Sequence, residues 1–167
     1  MSKGGRAWLF GDNISTDLIF PGRYTNLLSN MPELVKHTLE DAREDYAPNV
    51  KPGDFVVGGD NFGMGSSREQ APVIIKLSGA KAVLAKSFAR IFFRNAINVG
   101  LPAIEVDTTG INDGDELSID FGAGKLIDHT NGIERTFEPL PPIMTEILAD
   151  GGLIEHLKKH GDFNLKA

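Results

Sequence analysis

Asp54-Phe55-Val56-Val57-Gly58-Gly59-Asp60-Asn61-Phe62-Gly63-Met64-Gly65-Ser66-Ser67-Arg68-Glu69-Gln70-Ala71 passes from a short apolar run through a glycine-rich turn to a Ser-Ser-Arg tip. Phe55 to Val57 reads as a buried strand, and the pattern from Arg68 onward as the start of a helix. The glycines between them admit backbone conformations closed to other residues. Unpaired N–H groups at a helix start attract anions, and Arg68 adds a planar two-pronged donor suited to a carboxylate. The tip is therefore a candidate anion site. The competing reading leaves Ser66 or Ser67 as a helix cap and Arg68 in solvent.

Working outward from the tip, Val73, Ile74, Ile75 and Leu77 continue an apolar helix to Gly79, with Pro72 tolerable only near the first turn. Residues 82–85 form a second apolar run suited to a buried strand. Ser87 is a candidate cap for a helix over 88–98 that Gly100 ends, and 103–106 form a further strand. This strand–helix alternation predicts an α/β fold whose sheet is at least partly parallel. Residues 116–121 and 125–128 flank Gly122-Ala123-Gly124 as an antiparallel hairpin, 133–137 can add a strand, and short helices are expected over 144–149 and 153–159. Towards the N-terminus, residues 6–10 read as a strand and 11–17 as a polar loop leading to Leu18-Ile19-Phe20. Pro21-Gly22 break the chain, and Leu34, Val35 and Leu39 recur at helical spacing within 32–44.

The chain has 167 residues, 41% hydrophobic and 24% charged, which suits one ordinary globular domain. Neither a membrane-length apolar run nor a secretion signal is visible, so a cytoplasmic location and no membrane partner are expected. The net charge of −6, without basic clusters, argues against nucleic acid as a partner. With no cysteine the chain can supply no thiolate nucleophile, zinc ligand or iron–sulfur ligand. His156 and His160 are spaced i, i+4, but no glutamate completes an HExxH pattern and lysines surround them. They read as a solvated helix face, and no metal is assigned.

Three segments in order then carry a resemblance. They are Gly11-Asp12-Asn13-Ile14-Ser15-Thr16-Asp17, then Gly63-Met64-Gly65-Ser66-Ser67-Arg68-Glu69, then Ala85-Lys86-Ser87-Phe88-Ala89-Arg90-Ile91-Phe92-Phe93-Arg94-Asn95-Ala96-Ile97-Asn98-Val99-Gly100. Together they resemble the small subunits of the aconitase superfamily, more narrowly the short, archaeal-type small subunits of 3-isopropylmalate dehydratase and homoaconitase. The likeness extends from Gly5 to about Gly161. It implies a swivelling β/β/α three-layer domain with a mixed sheet, here a single domain over 1–167. It also implies a separate large subunit carrying a [4Fe-4S] cluster, in a heterodimer or heterotetramer, with no cofactor bound by this chain. The implied substrate is a small 2-hydroxy di- or tricarboxylic acid, and the implied reaction its dehydration and rehydration.

The resemblance gives Ser66 the role of base that removes a proton from carbon, and Arg68 that of a carboxylate ligand. A hydroxyl is a poor base in water, so an alkoxide needs local positive potential, which a helix start and Arg68 would both supply. Thr16 and Asp17 match a Thr-Asp pair that lines the same cavity in the family. Read from the residues alone, Asp17 either orients Arg68 or a hydroxyl, or forms an Asx-turn. Ser67 either touches substrate or caps the helix. Arg90 and Arg94, four apart on one helix face, are expected to make structural or subunit contacts, and Phe88, Phe92 and Phe93 to pack the core.

Family members differ in a substrate-reading loop, which here is Pro21-Gly22-Arg23-Tyr24-Thr25-Asn26-Leu27-Leu28. Arg23, Tyr24, Thr25 and Asn26 are its candidate substrate contacts. Asn26 stands where homoaconitases place the arginine that meets an extra carboxylate, so a tricarboxylate loses its counter-charge unless Arg23 swings in. An unpaired buried charge is costly, which favours a substrate with an apolar branch, as in isopropylmalate. Homocitrate-type and 2,3-dimethylmalate or citraconate-type substrates are the alternatives. A non-catalytic RNA-binding module and a nucleotide binder are the readings from other classes.

Overall fold

Along the short strands of this chain, successive side chains go to opposite faces, and the two faces bury separate cores. The computed structural model describes residues 4–161. Its strands are β1 (Gly5–Leu9), β2 (Phe55–Val57), β3 (Ala82–Ala85), β4 (Ala103–Glu105), β5 (Glu116–Asp120), β6 (Lys125–Asp128) and β7 (Ile133–Thr136). They form one seven-stranded sheet in the order β4-β3-β2-β1-β5-β6-β7. β1 to β4 are parallel, whereas β5 joins β1 antiparallel and continues into the β5–β6–β7 meander. The sheet is therefore mixed, as expected.

Trp8, Val56, Val83 and Ala85 point into one core, with Phe62, Ile74, Ile75, Phe92 and Ala96. Their strand neighbours Ala7, Phe55, Val57, Ala82 and Leu84 point the other way, onto Leu117, Ile119 and Leu126 of the meander. The antiparallel strands thus curl over the face that the helices leave open, which gives a helix layer and two β layers. The helices are α1 (Thr16–Ile19), α2 (Met31–Val35), α3 (Tyr46–Asn49), α4 (Gln70–Leu77), α5 (Arg90–Val99), α6 (Pro142–Ala149) and α7 (Leu153–His160). α4 and α5 are the crossovers between parallel strands, a connection that needs an intervening helix. Pro72 is the third residue of α4, inside the first turn, and Gly100 closes α5 with a left-handed φ of 87°. No helix among the described residues is long and apolar enough to cross a membrane.

Several expectations are corrected. The helix over 32–44 stops at Val35, because Leu39 takes a left-handed φ of 58° and gives its N–H to the Ile19 carbonyl at 2.9 Å, while its side chain is fully buried. Tertiary packing overrides the helical spacing there. Leu18 and Ile19 belong to α1, which Ser15 caps by accepting the Leu18 N–H at 3.2 Å. Ser87 does not cap α5, which begins at Arg90; its hydroxyl accepts the Asn61 N–H at 2.8 Å. His156 is fully buried and is not on a solvated face: its Nδ1 lies 2.8 Å from Asp150 at the end of α6, and His160 Nε2 lies 3.1 Å from the same oxygen. Lys159 reaches the other Asp150 oxygen at 3.1 Å, and the His156 bond first, then Lys159, hold that carboxyl down to about 2.

Candidate active site

The loops that follow β1, β2 and β3 leave neighbouring parallel strands at their carboxyl ends, the place where open α/β sheets bind ligands. Short backbone bonds stitch them together. Gly63 N–H meets the Ile14 carbonyl at 2.7 Å, Thr16 N–H meets Met64 at 2.9 Å, and Phe62 N–H meets Ser87 at 3.0 Å. Ser15–Met64 and Phe62–Phe88 form isolated parallel bridges. Gly63 makes this stitching possible, because a Cβ there would lie 2.2 Å from Phe92 Cγ and its φ is +83°. Gly65, at φ +102°, then turns the chain back so that Ser66, Ser67 and Arg68 face Thr16.

Thr16, Ser66, Ser67, Arg68, Arg90 and Asn95 line a recess of about 220 Å³. Thr16 is buried, and its hydroxyl donates to the Ser66 carbonyl at 2.8 Å, which fixes the tip against α1. Asp17 lies 2.8 Å from Arg68 Nη2, while Nη1 donates to the Phe20 carbonyl at 3.5 Å. The guanidinium is thus aimed by one carboxylate and one carbonyl, and its remaining N–H groups are left over. Ser66 and Ser67 are exposed, and no described residue hydrogen-bonds either hydroxyl.

The capping reading of these serines does not hold, since α4 starts at Gln70 with Glu69 in the cap position and no side-chain bond. The first turn of α5 is the helix start that lines the recess, with Ala89, Arg90, Ile91 and Phe92 at its wall and no side chain capping it. By helix geometry its leading N–H groups have no internal acceptor, so they add positive potential where Arg68 also points. Such a place can hold an anion and lower the cost of an ionised hydroxyl. Sequence reasoning missed Arg90, Ile91 and Asn95 as neighbours of the tip. The only signal was their position after a strand parallel to the one preceding Ser66.

The candidate loop residues behave differently. Gly22 abuts Arg68, a Cβ there lying 3.4 Å from Nη2, but Arg23, Tyr24, Thr25 and Asn26 do not line the recess. Arg23 makes a two-pronged pair with Asp41 at 2.8 and 2.7 Å and also reaches Glu40 at 2.7 Å. Tyr24 donates to Glu40 at 2.6 Å and stacks on His37 with ring centres 3.9 Å apart. Thr25 hydrogen-bonds the Gly22 carbonyl at 2.6 Å, and Asn26 is exposed. The Tyr24 hydroxyl and then His37 hold Glu40 below the usual carboxylate range, and Arg23 does the same for Asp41. Away from the recess, Asp150, His156 and His160 bring possible metal-ligand atoms within 4.8 Å of one another, although Lys159 already neutralises the carboxylate.

The aconitase C-terminal domain family model matches residues 2–109. A "3-isopropylmalate dehydratase small subunit 2" from Archaeoglobus fulgidus is 58% identical over 165 residues, covering 99% of this chain and 100% of that protein. A "methanogen homoaconitase small subunit" from Methanothermobacter thermautotrophicus is 51% identical, over 93% and 90% of the two chains. The crystal structure of 3-isopropylmalate dehydratase from Methanocaldococcus jannaschii superposes with a TM-score of 0.91 at 46% identity, covering 96% of each chain. The chain therefore belongs to the aconitase C-terminal domain family, in the branch whose members are separate small subunits.

Proposed function

We propose that this chain, as a single domain, is the small subunit of a 3-isopropylmalate dehydratase that interconverts 2- and 3-isopropylmalate by dehydration and rehydration in leucine biosynthesis. Arg68 binds a substrate carboxylate through the N–H groups that Asp17 and Phe20 leave free, which sets the adjacent C–H beside Ser66. Ser66, as the alkoxide, takes that proton, its hydroxyl exchanges with solvent, and it gives a proton to the other carbon when water adds back to the alkene. Thr16 keeps the Ser66 backbone fixed while the hydroxyl remains unshared. The open start of α5 and Arg68 together stabilise the ionised serine.

Loss of the substrate hydroxyl calls for a Lewis acid, the chemistry that a [4Fe-4S] cluster on a large subunit supplies when bound. The recess offers hydroxyl, amide and guanidinium groups and the chain has no cysteine, so its donor set suits the substrate and leaves the cluster to another chain. A large-subunit partner follows from this division, with a cytoplasmic location as the simplest setting.

The observation that carries the substrate choice is Arg23. Its two-pronged bond to Asp41 and its contact with Glu40 occupy the guanidinium, and its pKa is raised by those bonds, Asp41 first. Freeing it to meet a third carboxylate would leave Asp41 without its partner and Glu40 with Tyr24 and His37 alone, so an apolar branch on the substrate fits better than a charged one. The test is to assemble the chain with its cluster-loaded large subunit and compare isopropylmalate, homocitrate and 2,3-dimethylmalate. Isopropylmalate should give the highest kcat/KM; turnover confined to homocitrate would reverse the choice.

A further inference from the structure

Arginine pairing in this chain is uneven. Arg6, Arg23, Arg43, Arg68 and Arg135 each lie within ion-pair distance of a carboxylate. Arg90 and Arg94, both exposed and one turn apart on α5, have no carboxylate or hydrogen-bond acceptor among the described residues. Acidic residues outnumber Lys and Arg by 23 to 17, so acids are not scarce. Solvation alone suffices for any single surface arginine. Here the two unpaired ones stand together, and they stand beside the recess.

Arg90 belongs to two hollows at once. It lines the recess that holds Ser66 and also, with Arg94, an apolar groove of about 440 Å³ between α5 and α6. Phe93, Ile97, Met144 and Ile147 form the groove wall. Ile91, on the recess side, is 51% exposed and adds apolar area beside the recess. Apolar area edged by cations is the composition of an interface, with arginine among the residues enriched there.

We infer that this α5–α6 face is the docking surface for the large subunit, and that Arg90 and Arg94 each meet a carboxylate of that subunit. The inference rests on the proposed function, since a chain that brings a Lewis acid to Ser66 must close over the recess whose wall is the first turn of α5. The groove extends that wall without a break, through Arg90 itself. Charge complementarity selects an acidic patch on the partner, and the Phe93–Ile97 wall selects an apolar side chain beside it. A partner carboxylate on Arg90 would also place that arginine's charge at the rim of the recess, which ties assembly to the electrostatics of Ser66.

The test measures association by calorimetry or sedimentation, without substrate, between the full chain and its cluster-loaded large subunit. Arg90→Glu/Arg94→Glu should weaken association at least tenfold, and Arg94→Ala alone should weaken it less. The control Lys125→Glu, a charge reversal on β6, should leave association unchanged. Raising the salt concentration should weaken the wild-type complex and have little further effect on the double variant. Circular dichroism and thermal melting keep a folding defect apart from a docking defect, and the single Arg94→Ala variant retains the test if the double variant unfolds. Unchanged association in folded variants, or loss of a homodimer of this chain in place of the heteromeric contact, overturns the inference. Turnover of isopropylmalate by the wild-type pair would still uphold the proposed function in that event.

Discussion

The carboxyl ends of β1 to β3 and the β5–β7 meander both gather hydroxyls and carboxylates, yet they treat them in opposite ways. In the meander, buried Asp115 accepts from the Asn112 N–H at 2.8 Å and from the Asn131 amide at 2.5 Å. Buried Asp128 accepts the Thr130 and Asn131 N–H groups at 3.0 and 3.1 Å, and Ser118 bonds His129 at 2.6 Å. These polar groups are saturated by their own layer. At the other end, the Ser66 and Ser67 hydroxyls, part of the Arg68 guanidinium and the first turn of α5 keep bonding capacity unused. Saturated polar groups hold a fold together, and unsaturated ones held rigidly in place are available for chemistry. Mutations of the polar side chains at the two places should therefore separate, with loss of turnover at the first and change of stability in the meander, whereas the backbone that aims the tip carries stability of its own.

The largest effect is expected at Arg68. Arg68→Lys keeps the charge but loses the fork, so kcat/KM should fall about a hundred- to a thousandfold while the melting temperature stays within a few degrees. Near-normal steady-state kinetics in that variant would erase the distinction between the two ends.

Gly63→Ala probes the stitching that aims the tip. The added methyl group meets Phe92 and the residue must hold a left-handed φ, so urea unfolding should show a loss of about 2–4 kcal/mol. A smaller loss would mean that the loop relaxes easily and that the tip is not rigidly placed.

The smallest effect belongs to the meander. Burial, and then the neighbouring Asp128, push the Asp115 carboxyl above its usual range, whereas bonds from Asp115 and from Asn131 hold Asp128 below, against the effect of burial. A raised folded pKa contributes stability that is present below the unfolded value of about 3.9 and lost as pH rises through the folded value. Asp115→Asn removes that loss. Thermal melts should show it matching or exceeding the wild type at pH 8, by no more than a few degrees, with no such advantage near pH 3. Turnover should be unaffected.

The legibility of the sequence followed the range of the interactions involved. Arg68 stood out because a guanidinium after a glycine-rich turn is a visible anion ligand, while Ser66, Thr16 and Asp17 were picked out by the family resemblance that their motifs carry, and the alternation from Phe55 to Val106 defined the parallel half of the sheet. The left-handed turn at Leu39 depends on a bond to Ile19, and the burial of His156 depends on Asp150 closing over α7, so neither follows from helical spacing. Arg90 looked remote from Ser66 because 24 residues separate them in the sequence. Only the parallel register of β2 and β3 brings their following loops together.

In the proposed reaction the unshared Ser66 hydroxyl removes the substrate proton. The most direct test of that step is exchange of the reacting C–H of isopropylmalate with deuterated solvent, followed by NMR, in wild-type and Ser66→Ala chains assembled with the same cluster-loaded large subunit. Exchange is expected in the wild type, with a loss of at least three orders of magnitude in the variant and assembly intact. Exchange at the wild-type rate in Ser66→Ala would contradict it.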